Sequence, residues 1–148
     1  NDLIGSPKMF MGAVVNPGAD DLDLEIGRME EKIEAGAQFF QTQAVFDPQA
    51  FEGFMARVEG FGVPILAGVI VLKSPNMALY LNDKVPGITV PSTFIDEIEI
   101  ADDRRAAGVS ISARIIKAVR DMCQGVHIMA IGWESIIPDI VKAARIPD

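Results

Sequence analysis

The sequence predicts an α/β fold in which four parallel β/α units form half of a TIM (β/α)8 barrel. Short apolar runs alternate with helical patterns, and a right-handed crossover helix is the usual way to return to a parallel neighbouring strand. The chain has 148 residues, whereas a closed barrel of eight units needs about 250. The main alternative is a small doubly wound open sheet, which four strands could also form. Neither glycine-rich phosphate-binding fingerprint occurs, so we favour the half barrel, as one domain spanning residues 1–148.

Each predicted strand is a short apolar run that is followed by a helical pattern. The first helix carries apolar residues at spacings of four, three and four, and it stops at Gly36. Asp47 caps the second helix, because Pro48 follows it in the first helical turn. Strands are predicted at residues 9–15, 39–46, 64–71 and 126–131, and further helices at about 74–84, in an insertion at 92–103, and across 111–122 and 136–144.

The composition argues against several classes of partner. The 13 Lys and Arg against 21 Asp and Glu give a formal net charge of -8, which opposes binding to nucleic-acid phosphates. The single cysteine, Cys123, excludes an internal disulfide and a metal site built from several cysteines, and we interpret it as a small apolar residue. No apolar run reaches the roughly 18 residues that span a bilayer. We therefore expect a cytoplasmic protein with no metal, nucleic-acid or membrane partner.

Polar residues follow the predicted strands at the edge where parallel β/α folds bind their ligands. On the second strand Gln41 and Gln43 share one face, because side chains alternate with a period of two. Two amides on one face need hydrogen-bond partners, and the pattern leaves a polar network and a bound ligand equally open. The candidates at the strand exits are Asn16, Gln41, Gln43, Asp47, Lys73, Ser74, Trp133 and Glu134.

Three further residues allow two interpretations each. His127 lies near the start of its predicted strand, so a packed structural histidine is favoured over a ligand. Lys73 could contact an anion or be a solvated loop lysine. Trp133 could be a stacking platform for an aromatic ligand or a residue that covers the rim of the core.

Residues 32–47 resemble the methylenetetrahydrofolate reductase family. They read K-I-E-A-G-A at 32–37, F-F-Q-T-Q at 39–43 and F-D at 46–47, which is similar to the K-x-x-A-G-A…T-Q…F-D pattern of that family. The matches follow the family order as the last four units of its barrel, which implies the C-terminal half. Asn16-Pro17 and residues 131–134 look like the form of acetogens and other anaerobes. Further similar segments are residues 12–17, 64–68, 88–91 and 126–129.

The resemblance implies a flavin-dependent enzyme of one-carbon metabolism. Family members reduce 5,10-methylenetetrahydrofolate to 5-methyltetrahydrofolate, and a reduced flavin, FAD or FMN, supplies the hydride. The implied partners are the folate substrate, the N-terminal half of the barrel or a second chain, and an electron-donor subunit. Two alternatives stay open, namely a non-catalytic binding or assembly subunit that keeps the fold and an open-sheet protein of unrelated function.

The resemblance also implies roles for particular residues. Gln43 matches the glutamine that binds the pterin, and Lys32 matches a lysine near the flavin phosphate or ribitol. Glu25 stands where relatives place an aspartate on the flavin, and Asn16 where many have a tyrosine beside it. The general acid of the family lies outside this chain, so no catalytic residue is expected here. The residues placed on the folate side are Gln43, Met77, Ile131 and Trp133, where Met77 replaces a common glutamine and Trp133 a common arginine.

Overall fold

A computed structural model describes Gly5 and residues 8–146 of the chain. Its four strands form one parallel sheet in the order β1-β2-β3-β4, so each strand pairs with the next one along the chain. The α/β fold predicted from the sequence is therefore confirmed. The strands are β1 (Gly12–Val15), β2 (Phe39–Ala44), β3 (Ile65–Ile70) and β4 (Gly125–Met129).

Six α-helices lie between and after the strands. Short 3-10 turns at Glu59–Phe61 and Glu134–Ile136 complete the element order. No helix within the described residues is long and apolar enough to cross a membrane. The helices are α1 (Leu22–Glu34), α2 (Pro48–Val58), α3 (Pro75–Lys84), α4 (Ser92–Ile100), α5 (Arg104–Val119) and α6 (Ile137–Ala144).

Side-chain caps set where the main helices begin. Asp47 accepts hydrogen bonds from the backbone N–H groups of Gln49 and Ala50 at 2.8 and 3.1 Å, so the cap predicted for α2 is confirmed. Asp103 caps α5 in the same way. The predicted helical insertion at 92–103 was therefore too long, because α4 ends at Ile100 and the Asp103 cap starts a new helix. Without an apolar stripe before Ile111, the sequence pattern missed the first turns of α5.

One face of the sheet packs against the helices, and we call it the covered face. Phe40 of β2 is fully buried in a cluster with Met29 of α1 and with Phe51 and Phe54 of α2. A second cluster joins the carboxyl half of β3 to α5 and α6. Burying each large apolar side chain contributes about 1.5–3 kcal/mol. The covered face is therefore the main source of hydrophobic stabilisation.

On the opposite face of the sheet, which we call the open face, Gly5 and residues 8–146 place no helix layer. Phe39, Gln41 and Gln43 of β2 are only half-buried there, and Val14 of β1 is 67% exposed. Phe10 stacks on Phe39 with ring centroids 5.2 Å apart. The strand order does not reverse anywhere, so these four strands lack the switch point of a doubly wound sheet. The half barrel and the single domain stay predictions.

Candidate functional site

The cavities of the described chain lie at both ends of the sheet. Two larger ones, of about 460 and 550 Å³, are at the amino ends of β3 and β4, where Gln124 lines both. In parallel β/α folds ligands bind at the carboxyl ends of the strands, where the loops can vary without disturbing the core. Two smaller cavities lie toward that edge, one of about 290 Å³ beside the loops after β1 and β2 and one on the open face. We place the candidate site at the one on the open face, because it contains the predicted pair of amides.

This groove has a volume of about 260 Å³. It runs across β1, β2 and β4, and its walls mix amides, an imidazole and apolar side chains. Such a combination suits a flat ligand that carries hydrogen-bonding edges. The groove is lined by Val14, Val15, Asn16, Glu25, Gln41, Thr42, Gln43, His127 and Met129.

A β-bulge in β2 shapes the floor of the groove. The register between β2 and β3 shifts between Gln41 and Ala44. The Thr42 hydroxyl compensates, because it accepts the N–H of Gly68 at 2.9 Å and donates to the Gln43 carbonyl at 2.7 Å. A β-carbon at Gly68 would overlap the carbonyl oxygens of Thr42 and Gln43. Only glycine therefore fits at this place, where bulges commonly adjust the aim of a side chain.

The missing side chain at Gly68 also leaves the groove open between its two polar walls. Gly68 pairs with His127 in the sheet, so the glycine separates the imidazole from Gln43. The Oε1 atom of Gln43 accepts the N–H of Ala44 at 3.1 Å. This contact fixes the amide and leaves its NH2 group free to donate.

His127 differs from its sequence interpretation. It was predicted to be a packed structural histidine at the start of a strand. It instead occupies the middle of β4, half-buried on the open face. The strand begins at Gly125, two residues before His127, and alternation then turns the imidazole away from the covered face.

Asn16 and Glu25 line the groove, but they also hold the loop after β1. The Glu25 carboxylate accepts the N–H of Asn16 at 2.9 Å and lies 3.7 Å from Arg28. The Asn16 side chain accepts the N–H of Gly18 at 3.1 Å and donates to the Pro86 carbonyl at 3.4 Å. These contacts join the end of β1 to the loop between α3 and α4.

Lys32 lies beside the groove rather than in it. It belongs to the last turn of α1, and its Nζ donates to the Val14 carbonyl at 2.7 Å. Because an ammonium group has three donors, the other two stay available at the edge of β1. The geometry is compatible with an anion, and it also provides a structural role in holding an edge strand.

The other predicted folate-side residues are outside the groove. Met77 is in the first turn of α3 and packs against the core. Ile131 follows β4 and is 55% exposed. Trp133 is half-buried against the core, with the Lys73 ammonium 5.7 Å from the centroid of its ring. The structure therefore brings together only Gln43, Asn16 and Glu25 from the predicted set.

The loop after β4 has unusual electrostatics. Glu134 accepts the N–H of Gly132 at 2.8 Å. The backbone N–H groups of Glu134 and Gly132, together with the nearby Lys73 ammonium, hold the pKa of the Glu134 carboxyl below its ordinary value of 4.5. Within the described residues, no three His, Cys, Asp or Glu side chains are placed to hold a metal ion.

Comparison with known protein families identifies the family of the chain. The profile of the methylenetetrahydrofolate reductase family matches residues 11–145. The chain belongs to the methylenetetrahydrofolate reductase family. The resemblance inferred from residues 32–47 is thus confirmed over most of the chain.

Named relatives agree with this family, although they are distant. Methylenetetrahydrofolate reductase 1 of Schizosaccharomyces pombe is 25% identical over 108 residues, which are 71% of this chain and 17% of that protein. Methylenetetrahydrofolate reductase 2 of the same yeast is 29% identical over 126 residues, or 76% and 20% of the two proteins. The chain spans about a fifth of the length of these curated relatives.

A solved structure supports the fold. It is an uncharacterised protein from Clostridium thermocellum that binds two copies of 5-methyl-5,6,7,8-tetrahydrofolic acid. The TM-score is 0.64 at 20% sequence identity, and the match covers 92% of this chain and 52% of that chain. At this identity the likeness shows the fold alone.

Proposed function

We propose that this chain is part of a flavin-dependent methylenetetrahydrofolate reductase, an oxidoreductase that converts 5,10-methylenetetrahydrofolate to 5-methyltetrahydrofolate. The observation that carries the proposal is the pair of amides, Gln41 and Gln43, beside an open groove in a chain of this family. A network within the chain would have used both amides. Among the described residues, the only hydrogen bond of either side-chain amide is the one in which the Gln43 oxygen accepts the N–H of the adjacent Ala44.

Gln43 would orient the pterin ring of the substrate. Its NH2 group can donate to the ring carbonyl, and its Oε1 keeps a second lone pair that can accept a ring N–H. Across Gly68, His127 offers a second hydrogen-bonding group, and Val14 and Met129 supply apolar walls for the flat faces of the ring. Such fixed positioning lowers the barrier to hydride transfer by holding the acceptor carbon in one orientation.

The remainder of the site would come from elsewhere. The unreversed strand order and the open face suit the C-terminal half of a barrel, whose interior side chains would be the open face. The Clostridium thermocellum protein, of which this chain covers 52%, is of a length that agrees with two such halves. We infer that an N-terminal half or a second chain closes the barrel and contributes the general acid. An electron-donor subunit would reduce the flavin, and the cytoplasm would be the compartment.

The residues present fit a flavin, FAD or FMN, at the β1 edge of the groove. Within the described residues, the Lys32 ammonium keeps two donors for a phosphate beyond the one that Val14 accepts, and the Glu25 carboxylate can accept from hydroxyl groups beside it. Asn16 would hold the loop that leads from β1 into α1, the helix that carries both residues. When bound there, a reduced flavin supplies the hydride that no amino-acid side chain can provide.

One observation favours a second candidate function, a non-catalytic folate-binding or assembly subunit. Among the described residues, Glu25 is the only carboxylate that lines the groove, and it is engaged by Asn16 and Arg28. The groove therefore offers contacts for binding but no free acid. The two candidates differ in turnover, since only the first forms 5-methyltetrahydrofolate.

The test replaces Gln43 with Ala in the holoenzyme. Loss of a buried hydrogen-bonding partner typically costs about 1–3 kcal/mol, so the catalytic efficiency with methylenetetrahydrofolate should fall by roughly ten- to a hundredfold. Flavin content should stay the same, because the Gln43 amide is separate from Lys32. Gln38→Ala is the matched control, since this exposed glutamine lies before β2 and its amide oxygen accepts the N–H of Met11, away from the groove.

Three outcomes separate the possibilities. Equal loss of flavin and folate binding in Gln43→Ala would mean that Gln43 supports the strand rather than the substrate. Tight binding of 5-methyltetrahydrofolate without any turnover by the holoenzyme would favour the non-catalytic candidate. A parent protein that binds no folate at all would contradict both.

A further inference from the structure

Lys73 stands on a rigid base at the exit of β3. Val71 and Leu72, which precede it, are both fully buried. The N–H of Val71 still donates to the Met129 carbonyl at 3.1 Å, so the pairing of β3 with β4 continues beyond the last strand residue. The chain that leads into Lys73 is therefore anchored beside the end of β4.

The side chain of Lys73 reaches across to the segment after β4, residues 131–134, which we call the β4-exit loop. Its ammonium donates to the Ile131 carbonyl and lies 5.7 Å from the centroid of the Trp133 ring. The Glu134 carboxylate is close enough for the same charge to act on it. One cation thus contacts the loop through a backbone carbonyl and an aromatic ring, and its charge also acts on the acid.

The loop needs such contacts because its backbone is strained. Ile131 has a φ of 47°, which is rare for a β-branched residue, and Gly132 continues with a φ of 80°. Conformations of this kind persist only where the surroundings hold them. Glu134 supplies one restraint by accepting the N–H of Gly132, the Ile136 N–H supplies a second by donating to the Trp133 carbonyl, and Lys73 supplies a third from before the loop.

The bent loop sets the position of Trp133. The indole packs against the apolar cluster that joins β3 to α5 and α6. A β-carbon at Gly108 of α5 would lie only 3.7 Å from the Cζ3 atom of the indole. The ring is therefore placed between α5 and the Lys73 ammonium. An ammonium over an aromatic face is attracted by the ring quadrupole.

We propose that Lys73 is a positioning residue, whose ammonium holds the β4-exit loop in its bent form and so fixes the Trp133 ring at the carboxyl edge of the sheet. Trp133 itself is outside the open-face groove, which ends on β4 at Met129, so a flat heteroaromatic ligand would meet the fixed ring where it extends from the groove past the carboxyl end of β4. The identity of this ligand as a folate rests on the proposed function. The restraint on the loop is a property of the chain alone.

The first experiment uses the fact that Trp133 is the only tryptophan. Lys73→Met keeps most of the stem and removes the charge. The equilibrium ratio of the bent loop to other loop conformations should therefore fall by about two- to fivefold, the usual effect of an exposed cation–π contact. Acrylamide quenching of Trp133 fluorescence should rise accordingly. Lys73→Arg should restore the parent value, because guanidinium can both donate to Ile131 and stack on the indole.

The control removes a lysine charge elsewhere. Lys84 is exposed on α3 and pairs with its neighbour Asp83 at 2.7 Å, so Lys84→Met should leave Trp133 quenching unchanged. Equal quenching in the parent and in Lys73→Met, with both folded by circular dichroism, would overturn the proposal. Quenching in Lys73→Arg that differs from the parent as much as it does in Lys73→Met would also overturn the proposal.

The second experiment measures the consequence in the holoenzyme. Because Lys73 acts through Trp133 on binding, Lys73→Met should raise the KM for methylenetetrahydrofolate by about two- to fivefold and leave kcat nearly unchanged. An unchanged KM alongside altered quenching would refute the positioning role. A parent protein without folate binding would refute the proposed function instead, and the fluorescence comparison would still decide whether Lys73 holds the loop.

Discussion

The two faces of β2 differ although they belong to the same six residues. Phe40, Thr42 and Ala44 are buried on the covered face, whereas Phe39, Gln41 and Gln43 are half-buried on the open face. The covered face is filled by helices of the same chain. The open face combines an aromatic ring at its amino end with two amides at its carboxyl end, and no helix of the described chain covers it.

This difference separates residues that specify the fold from residues that remain for a ligand or partner. On the covered face, even the polar Thr42 is used internally, because its hydroxyl repairs the ladder at the bulge. On the open face, the polar atoms of Gln41 and Gln43 retain most of their hydrogen-bonding capacity. A strand whose open face carries amides with spare donors and acceptors is typical of a site rather than of a core.

The largest expected effect concerns the aromatic pair of neighbours Phe40 and Phe39. Phe40→Ala should lower the free energy of unfolding by about 3–5 kcal/mol, because it leaves a cavity between β2 and the helices. Phe39→Ala should cost only about 1 kcal/mol, mainly its stacking with Phe10. Urea unfolding followed by circular dichroism measures both values.

The same pair tests whether another chain segment covers the open face. If Phe39→Ala destabilises the complete protein as strongly as Phe40→Ala, the open face is buried there, as a closed barrel requires. Equal and small effects of both substitutions would contradict the division of β2 into a covered and an open face.

The sequence predicted the covered face well and the loops less well. Apolar periodicity located all four strands and their parallel α/β arrangement, because strand and helix periods depend on local side-chain order. The start of α5 was missed, because its first turns carry Arg104 and Arg105 rather than an apolar stripe. Alternation also placed Gln41 and Gln43 on one face, as the structure shows.

The rest of the candidate site depends on contacts between distant segments, which periodicity does not encode. Nothing near Gly68 in the sequence indicates a bulge in β2, 26 residues away. His127 was assigned to the wrong environment, because its role depends on where β4 begins and on the glycine opposite it. Lys73 and Ile131 are 58 residues apart, so their contact cannot be read from local sequence. The sequence predicted only that Lys73 contacts an anion or is solvated.

The next prediction concerns Lys32, which belongs to helix α1 and whose ammonium donates to the Val14 carbonyl of the edge strand β1. In the holoenzyme, Lys32→Met should weaken flavin affinity by roughly tenfold or more, as expected for a charge-assisted hydrogen bond. The free energy of unfolding of the flavin-free protein should fall by no more than about 1 kcal/mol, because the contact with Val14 is exposed. Fluorescence titration at low salt measures the affinity.

Lys117 provides the control for this substitution. It occupies the last turn of α5, as Lys32 occupies the last turn of α1, and it is exposed. Lys117→Met should leave flavin binding unchanged. If Lys32→Met retains full flavin affinity but unfolds more easily, Lys32 belongs with the residues that hold the fold, and the assignment of flavin contacts to the β1 edge is wrong.

The smallest expected effect is a pH dependence of the β4-exit loop. Backbone N–H groups of Glu134 and Gly132, with help from Lys73, lower the pKa of Glu134 in the bent loop below its ordinary value of 4.5. A depressed pKa means that the carboxylate stabilises the bent loop above its ordinary pKa, and that this contribution is lost as the pH falls through the lowered value. Trp133 fluorescence should therefore stay constant from pH 7 to 5 and change only in more acidic solution.

Glu134→Gln keeps an oxygen for the Gly132 N–H but cannot titrate, so its fluorescence should lack that acidic transition. The nearby Asp139, which pairs with Arg105 at 3.6 Å, remains in both proteins, so a transition that survives in Glu134→Gln would belong to Asp139 or to global unfolding instead.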